Sequence, residues 1–143
     1  MYFMDANKRD DMATIRKELS LETPATKVWE ALKDFHAVDK RVAPGFVVKS
    51  VPDGSARVIT FSNGTVTREE FVSADDVGRR LVYAICGNER LKHYQGAAQV
   101  FADGEKRCRF VWTVDVLPDA IAGYIDEQME LAVGLMKTAL EKA

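Results

Sequence analysis

The stretch PDAIAGYIDEQMELAVGLMKTALEKA, residues 118–143, decides the fold of this chain. Pro118 is a favourable first-turn residue, and the apolar side chains that follow recur at steps of three and four, as on one face of a helix. They are Ile121, Ile125, Met129, Ala132 and Met136, and Tyr124, Leu131 and Leu135 widen the same arc. A helix of about 24 residues is about 36 Å long. We therefore predict a C-terminal helix longer than a small domain needs to close its core.

The residues before this helix have the pattern of short strands separated by turns. Asn63-Gly64 is the strongest hairpin signal among those turns, and the regular spacing predicts an antiparallel meander. Thr23-Pro24 predicts the start of a short helix, with Thr23 as N-cap, and a second short helix follows near 37–42. The predicted strands are 13–21, 46–51, 56–61, 65–73, 80–86, 94–101 and 107–116.

The order of these elements predicts an α+β fold. We expect a curved antiparallel sheet of six or seven strands around the long C-terminal helix, with two short helices after the first strand. A curved sheet that grips one long helix leaves a hollow between them. We expect the function to lie in that hollow.

Composition excludes several classes of protein. The 143 residues carry a net charge of −2 with no basic block, which argues against nucleic acid as a partner, and no apolar run is long enough for stable membrane insertion. The two cysteines lie in strand-like segments, which favours free thiols and a cytoplasmic protein. The two histidines lie far apart, so we expect no metal and no cofactor. We predict a flexible arm over 1–12, a single domain over 13–143, and a monomer or homodimer.

Strand alternation sorts side chains between the hollow and solvent. In the last strand, the alternation of apolar and polar residues predicts that Phe110 and Trp112 face inward. In the strand before it, Tyr94 shares the inner face with small residues such as Gly96, which we expect to leave room in front of the sheet. In the strand 80–86, the better inward set contains Tyr83.

The strand 65–73 places a carboxylate in the hollow. If Phe71 faces inward, so does Glu69, and a buried carboxylate needs a partner. Arg57, on the inner parity of the neighbouring strand with Phe61, is the candidate. The pair is either structural or a polar anchor for a ligand, unless the strand parity is wrong. As an anchor, we expect Glu69 to be paired with Arg57 and charged.

Four segments resemble the SRPBCC superfamily, the START-like helix-grip group. They are PATKVWEALKDF at 24–35, SNGTVTREEFVSADDVGRRLVYAI at 62–85, YQGAAQVF at 94–101 and FVWTVDVLPD at 110–119. The pattern is most similar to the bacterial polyketide cyclase/dehydrase-like members. The resemblance implies a ligand cavity between the sheet and the last helix.

The loop at 86–94 is also similar to the latch loop of the plant abscisic-acid receptors. That likeness implies that Glu69 and Tyr94 are pocket polar groups and that Arg90 and Leu91 lie at the mouth. The chain departs from those receptors because the turn at 62–64 is too short for their gate and Trp112 stands where they carry a pocket carboxylate. A hormone-receptor role is therefore not indicated.

We predict that the protein binds, and thereby transports or sequesters, a small hydrophobic molecule such as a lipid, polyketide or isoprenoid. The alternative is a cyclase, aromatase or dehydratase that acts on an enolisable ketone, with Glu69 and Tyr94 as catalytic base and acid. A third reading is an accessory protein that uses the fold as a scaffold. The predicted ligand-binding residues are Arg57, Phe61, Glu69, Phe71, Tyr83, Arg90, Leu91, Tyr94, Phe110, Trp112, Ile125 and Met129.

Overall fold

The computed structural model describes residues 11–142, and its main feature is one antiparallel sheet of seven strands. The spatial order is β1-β7-β6-β5-β4-β3-β2, so β1 and β2 form the edges. The strands are β1 (Ala13–Leu21), β2 (Val47–Asp53), β3 (Ala56–Phe61), β4 (Val66–Asp75), β5 (Arg80–Ile85), β6 (His93–Ala102) and β7 (Cys108–Leu117).

Within the described residues, three helices complete the fold. The first two, α1 (Ala25–Lys33) and α2 (Val38–Arg41), follow β1 and are joined by a 3₁₀ turn at Phe35–Ala37. The long C-terminal helix α3 (Ala122–Leu140) packs on the inner face of the sheet. The predicted helix-grip architecture, with two short helices after the first strand, is confirmed.

One face of α3 supplies much of the core. Met129, Ala132, Met136 and Leu140 are all buried, and their steps of three and four match the predicted arc. Leu131 of the same helix is 63% exposed, because it lies on the opposite side. The apolar stripe of α3 is thus narrower than the sequence pattern indicates.

A lysine on the inner face of β1 ties the sheet edge to α3. Lys17 lies opposite Trp112 of β7, and its ammonium contacts Asp126 and, at 2.7 Å, Glu130. Both carboxylates raise the pKa of Lys17 through hydrogen bonds and charge. This contact positions the first half of α3 over β1 and β7.

Some element boundaries differ from the prediction. Residues 119–121 form a 3₁₀ turn, so α3 begins at Ala122 and has 19 residues. The N-cap of α1 is Pro24, and no side-chain hydrogen bond caps that helix, which corrects the expectation for Thr23. Of the predicted arm at 1–12, residues 1–10 lie outside the described residues.

Both cysteines are free, Cys86 exposed and Cys108 buried. Burial raises the pKa of the Cys108 thiol to about 11. None of the helices within residues 11–142 is both long enough and apolar enough to cross a membrane.

Shortening one side chain on each side of α3 tests this packing. We expect Leu140→Ala to lower the free energy of unfolding by about 2–5 kcal/mol, because a fully buried side chain is lost. Leu131→Ala on the exposed side is the matched control and should change it by about 0.5 kcal/mol or less. Denaturant unfolding measures both, and equal losses would contradict the assigned inner face.

Candidate functional site

Two small cavities lie between the inner face of the sheet and the helices. The inner cavity has a volume of about 70 Å³. The outer cavity has a volume of about 110 Å³ and extends to exposed residues at the tip of the β3–β4 hairpin and the start of α3. Both are lined mainly by apolar side chains. They share the lining residues Phe46, Phe61, Glu69, Tyr83 and Trp112, so the two cavities are neighbouring parts of one hollow.

A buried ion pair lies where the cavities meet. Arg57 and Glu69 are cross-strand partners on β3 and β4, and each is only 5% exposed. The Nε and Nη2 atoms of Arg57 each lie 2.7 Å from Glu69 Oε1. Nη1 donates to the backbone oxygen of Phe35 at 2.8 Å, and the guanidinium carbon lies 3.9 Å from the Phe35 ring centroid. These contacts offset the desolvation of both charges, and the predicted pairing is confirmed.

Tyr83 joins this pair to the aromatic wall of the hollow. Trp112 Nε1 donates a hydrogen bond to Tyr83 Oη at 2.8 Å. The Tyr83 ring lies over Gly96, its cross-strand partner on β6, where an added Cβ would come within 2.3 Å of the ring. We expected Gly96 to leave open space. The Tyr83 ring fills that space, because a strand residue without a side chain lets the neighbouring ring lie flat on the sheet.

Both tyrosines of the hollow are held in the protonated form. Burial raises the pKa of Tyr83, and the nearby Glu69 carboxylate adds to the rise. Burial likewise raises the pKa of Tyr94, with further contributions from Tyr83 and Glu69. At neutral pH each hydroxyl can therefore donate a hydrogen bond.

A polar rim surrounds the outer end of the outer cavity. Asn63 Nδ2 donates to Tyr124 Oη at 3.2 Å, which joins the hairpin tip to α3. The Thr65 N–H donates to Asn63 Oδ1 at 2.9 Å and orders the turn. Thr67 and Gln128 also line this cavity. The neutral side chains of this rim suit an uncharged occupant.

The structure places nine of the twelve predicted ligand-binding residues around the two cavities. A role for them in binding stays a prediction. They are Arg57, Phe61, Glu69, Tyr83, Tyr94, Phe110, Trp112, Ile125 and Met129.

Phe71 does not line either cavity. Its ring is 38% exposed and packs edge-on against Phe35, with ring centroids 5.5 Å apart. Phe71 lies opposite Tyr83 in the sheet, but its ring packs on Phe35 and not on the cavities. Alternation therefore indicates the face of Phe71 but not the contact that its ring makes on that face.

Arg90 and Leu91 do not reach the cavities either. Arg90 is exposed, and its backbone N–H donates to Asn88 Oδ1 at 2.8 Å, so the loop turns back on itself. Leu91 is half-buried and packs on the hydrophobic core. The likeness to a latch loop is the basis of both predictions. The turn at Asn88 keeps the two residues away from the cavities, and a role for them in ligand binding stays a prediction.

Sequence reasoning missed other lining residues. Phe46 lines both cavities, but it precedes a register shift in β2 that conceals its parity. Gln128 lies three residues after Ile125 and one before Met129. This helical spacing could have predicted that Gln128 lies near the same cavity as Ile125. For Asn63 the sequence pattern indicates only a turn.

Comparisons with known proteins agree with this architecture. A family model described as polyketide cyclase / dehydrase and lipid transport matches residues 12–143. No curated protein is similar enough in sequence to match the chain.

Several solved structures share the fold. An uncharacterized protein from Bacillus thuringiensis superposes with a TM-score of 0.79 at 14% identity, covering 90% of this chain and 98% of that chain. Norcoclaurine synthase from Thalictrum flavum, in complex with dopamine and hydroxybenzaldehyde, gives 0.71 at 17% identity, covering 92% and 86%. A protein from Thermobifida fusca gives 0.70 at 22% identity, covering 90% of each chain. Identities this low show a shared fold only.

Substitution of Gly96 tests the Tyr83 packing. We expect Gly96→Ala to lower the free energy of unfolding by about 1–3 kcal/mol, because the new methyl group displaces the Tyr83 ring. The near-ultraviolet circular dichroism of Trp112 and Tyr83 should change with it. Gly134→Ala on α3 is the control: its Cβ meets nothing within 4 Å, and it should stabilise the helix by up to about 1 kcal/mol. A fully stable Gly96→Ala protein would contradict the packing.

Alkaline titration tests the two buried tyrosines. Their pKa values lie above the unfolded value of 10.0, so their contribution to stability is fully present below that pH. It is lost as the pH rises through the folded pKa values. We expect tyrosinate absorbance from Tyr83 and Tyr94 to appear only as the fold melts, and Tyr94→Phe to remove part of that late phase. Ionisation of both side chains in the intact fold would disprove the assignment.

Proposed function

Because the chain belongs to the polyketide cyclase/dehydrase and lipid transport family, we propose that it binds one small, mostly apolar molecule in the hollow between the sheet and α3. The observation that supports this proposal is a pair of adjoining apolar cavities that meet at a buried ion pair. Water gains little in an apolar space, and an apolar ligand gains by leaving solvent.

The size of the cavities limits the ligand. An apolar cavity of about 150 Å³ binds benzene, whereas pockets for drug-sized ligands span about 300–1,000 Å³. Volumes of about 110 and 70 Å³ therefore suit a compound of about one ring. A longer lipid, polyketide or isoprenoid requires the outer rim to open. Norcoclaurine synthase, which shares the fold, holds dopamine and hydroxybenzaldehyde, and this supports a small aromatic occupant.

Catalysis is the second candidate, because Glu69 and Tyr94 line the same cavity. Against it, Arg57 directs two nitrogens to the Glu69 carboxylate. A carboxylate stabilised in this way is a weaker proton acceptor. Turnover of an enolisable ketone that is lost in Glu69→Gln, with ligand affinity unchanged, would favour the enzyme. The cytoplasmic location and the monomeric or dimeric state stay predictions.

A cavity-filling variant tests the binding proposal. Thr67 points into the outer cavity, and a strand tolerates phenylalanine well. We expect Thr67→Phe to weaken toluene binding by about 10-fold or more, because the new ring occupies the space of the ligand and each 1.4 kcal/mol lost is tenfold in affinity. Val66→Phe, one residue away and 60% exposed on the other face, is the matched control.

Toluene affinity can be followed by calorimetry or by the fluorescence of Trp112, which lines both cavities. Val66→Phe should bind toluene like the original chain. If neither the original chain nor Val66→Phe binds toluene, the hollow is not the binding site. The same conclusion holds if Thr67→Phe binds toluene as tightly as the original chain does. Native mass spectrometry after mild purification would then show whether any small molecule accompanies the protein.

A further inference from the structure

The polar groups of the hollow are arranged in a way that specifies more than an apolar ligand. Both contacts of Arg57 with Glu69 use the same oxygen, Oε1. Neither of these contacts involves Oε2, and the Glu69 side chain is only 6% exposed. A carboxylate has about four acceptor positions. The second oxygen, Oε2, therefore keeps acceptor capacity at the junction of the two cavities.

A hydrogen-bond donor lies at the same junction. Tyr83 Oη accepts the indole N–H of Trp112 and the hydroxyl proton of Tyr94, and a phenol oxygen that only accepts hydrogen bonds still has its own proton to give. Accepting a hydrogen bond also polarises the O–H group and strengthens it as a donor. Tyr83 and Glu69 both line the inner and the outer cavity.

The charge balance selects a neutral ligand. Arg57 already compensates the charge of Glu69, so the pair is neutral as a unit. A ligand carboxylate would meet Glu69 Oε2 with like charge, and a ligand ammonium would add an uncompensated cation beside Arg57. Either charge would also lose its hydration in an apolar cavity. A neutral hydroxyl group can donate to Glu69 and accept from Tyr83 without these costs.

We propose, on the basis of the proposed binding function, that the hollow recognises a neutral one-ring hydroxyl compound of the phenol class. Its O–H donates to Glu69 Oε2, and its oxygen accepts from Tyr83 Oη. The ring occupies the apolar space bounded by Trp112, Phe61 and Met129. The ligand is thus defined by one donor–acceptor group and one ring.

Four probe compounds of nearly equal size test this proposal: phenol, toluene, benzoate and benzylamine. Phenol carries a hydroxyl group where toluene carries a methyl group. We expect phenol to bind about 10-fold more tightly than toluene, because a hydrogen bond to a charged acceptor outweighs the desolvation of the hydroxyl group. Benzoate and benzylamine should bind more weakly than phenol.

The ratio of phenol to toluene affinity within one protein separates recognition from a general loss of stability. In Glu69→Gln this ratio should fall about 10-fold, since the charged acceptor is removed. Glu70→Gln, on the next residue and outside both cavities, is the matched control and should leave the ratio unchanged. If Glu69→Gln does not fold, Tyr83→Phe provides the second test, with an expected fall of roughly 3- to 10-fold.

The outcomes distinguish this inference from the proposed function. Toluene binding with no preference for phenol, or a ratio that Glu69→Gln leaves unchanged, overturns the hydroxyl recognition while ligand binding stands. Tighter binding of benzylamine or benzoate overturns the choice of a neutral ligand. If none of the four compounds binds, the proposed function fails together with this inference.

Discussion

The buried pair of Arg57 and Glu69 is the constraint on which the site depends. Breaking a buried ion pair by removing one partner costs about 3–5 kcal/mol, so each charge has to keep its contacts in any folded state. Arg57 also donates to the backbone of Phe35, which fixes the turn after α1 against β3. The pair therefore sets the distance between the short helices and the sheet, and it keeps charged groups at the junction of two otherwise apolar cavities.

Aromatic packing around the pair makes its surroundings rigid. Tyr83 can lie flat on the sheet because Gly96 has no side chain, and Trp112 then reaches its hydroxyl. The guanidinium lies between the rings of Phe35 and Tyr83, at 3.9 and 5.3 Å from their centroids. Each of these groups restricts the next one, so the polar atoms of the hollow are held in place before any ligand enters.

The sequence was sufficient to predict the architecture. It was also sufficient to predict which side chains face the hollow in strands with regular pairing. Alternation in β7 placed Phe110 and Trp112 correctly, because nothing interrupts its pairing with β6. It was insufficient where the register shifts, near Phe46 and after Phe71. The parity of a strand gives the face but not the position of a cavity along it. The space over Gly96 could not be judged either, since it depends on the rotamer of a residue in another strand.

The hydrogen bond between Asn63 and Tyr124 has a kinetic consequence. It joins the hairpin tip to α3 at the rim, whereas Glu69 and Tyr83 lie deeper. An exposed, neutral hydrogen bond contributes only about 1 kcal/mol, so thermal motion opens it often. The residence time of an occupant would then be governed by positions 63 and 124, and its equilibrium affinity by the buried groups. Selection could tune the rate of exchange at the rim and leave recognition unchanged.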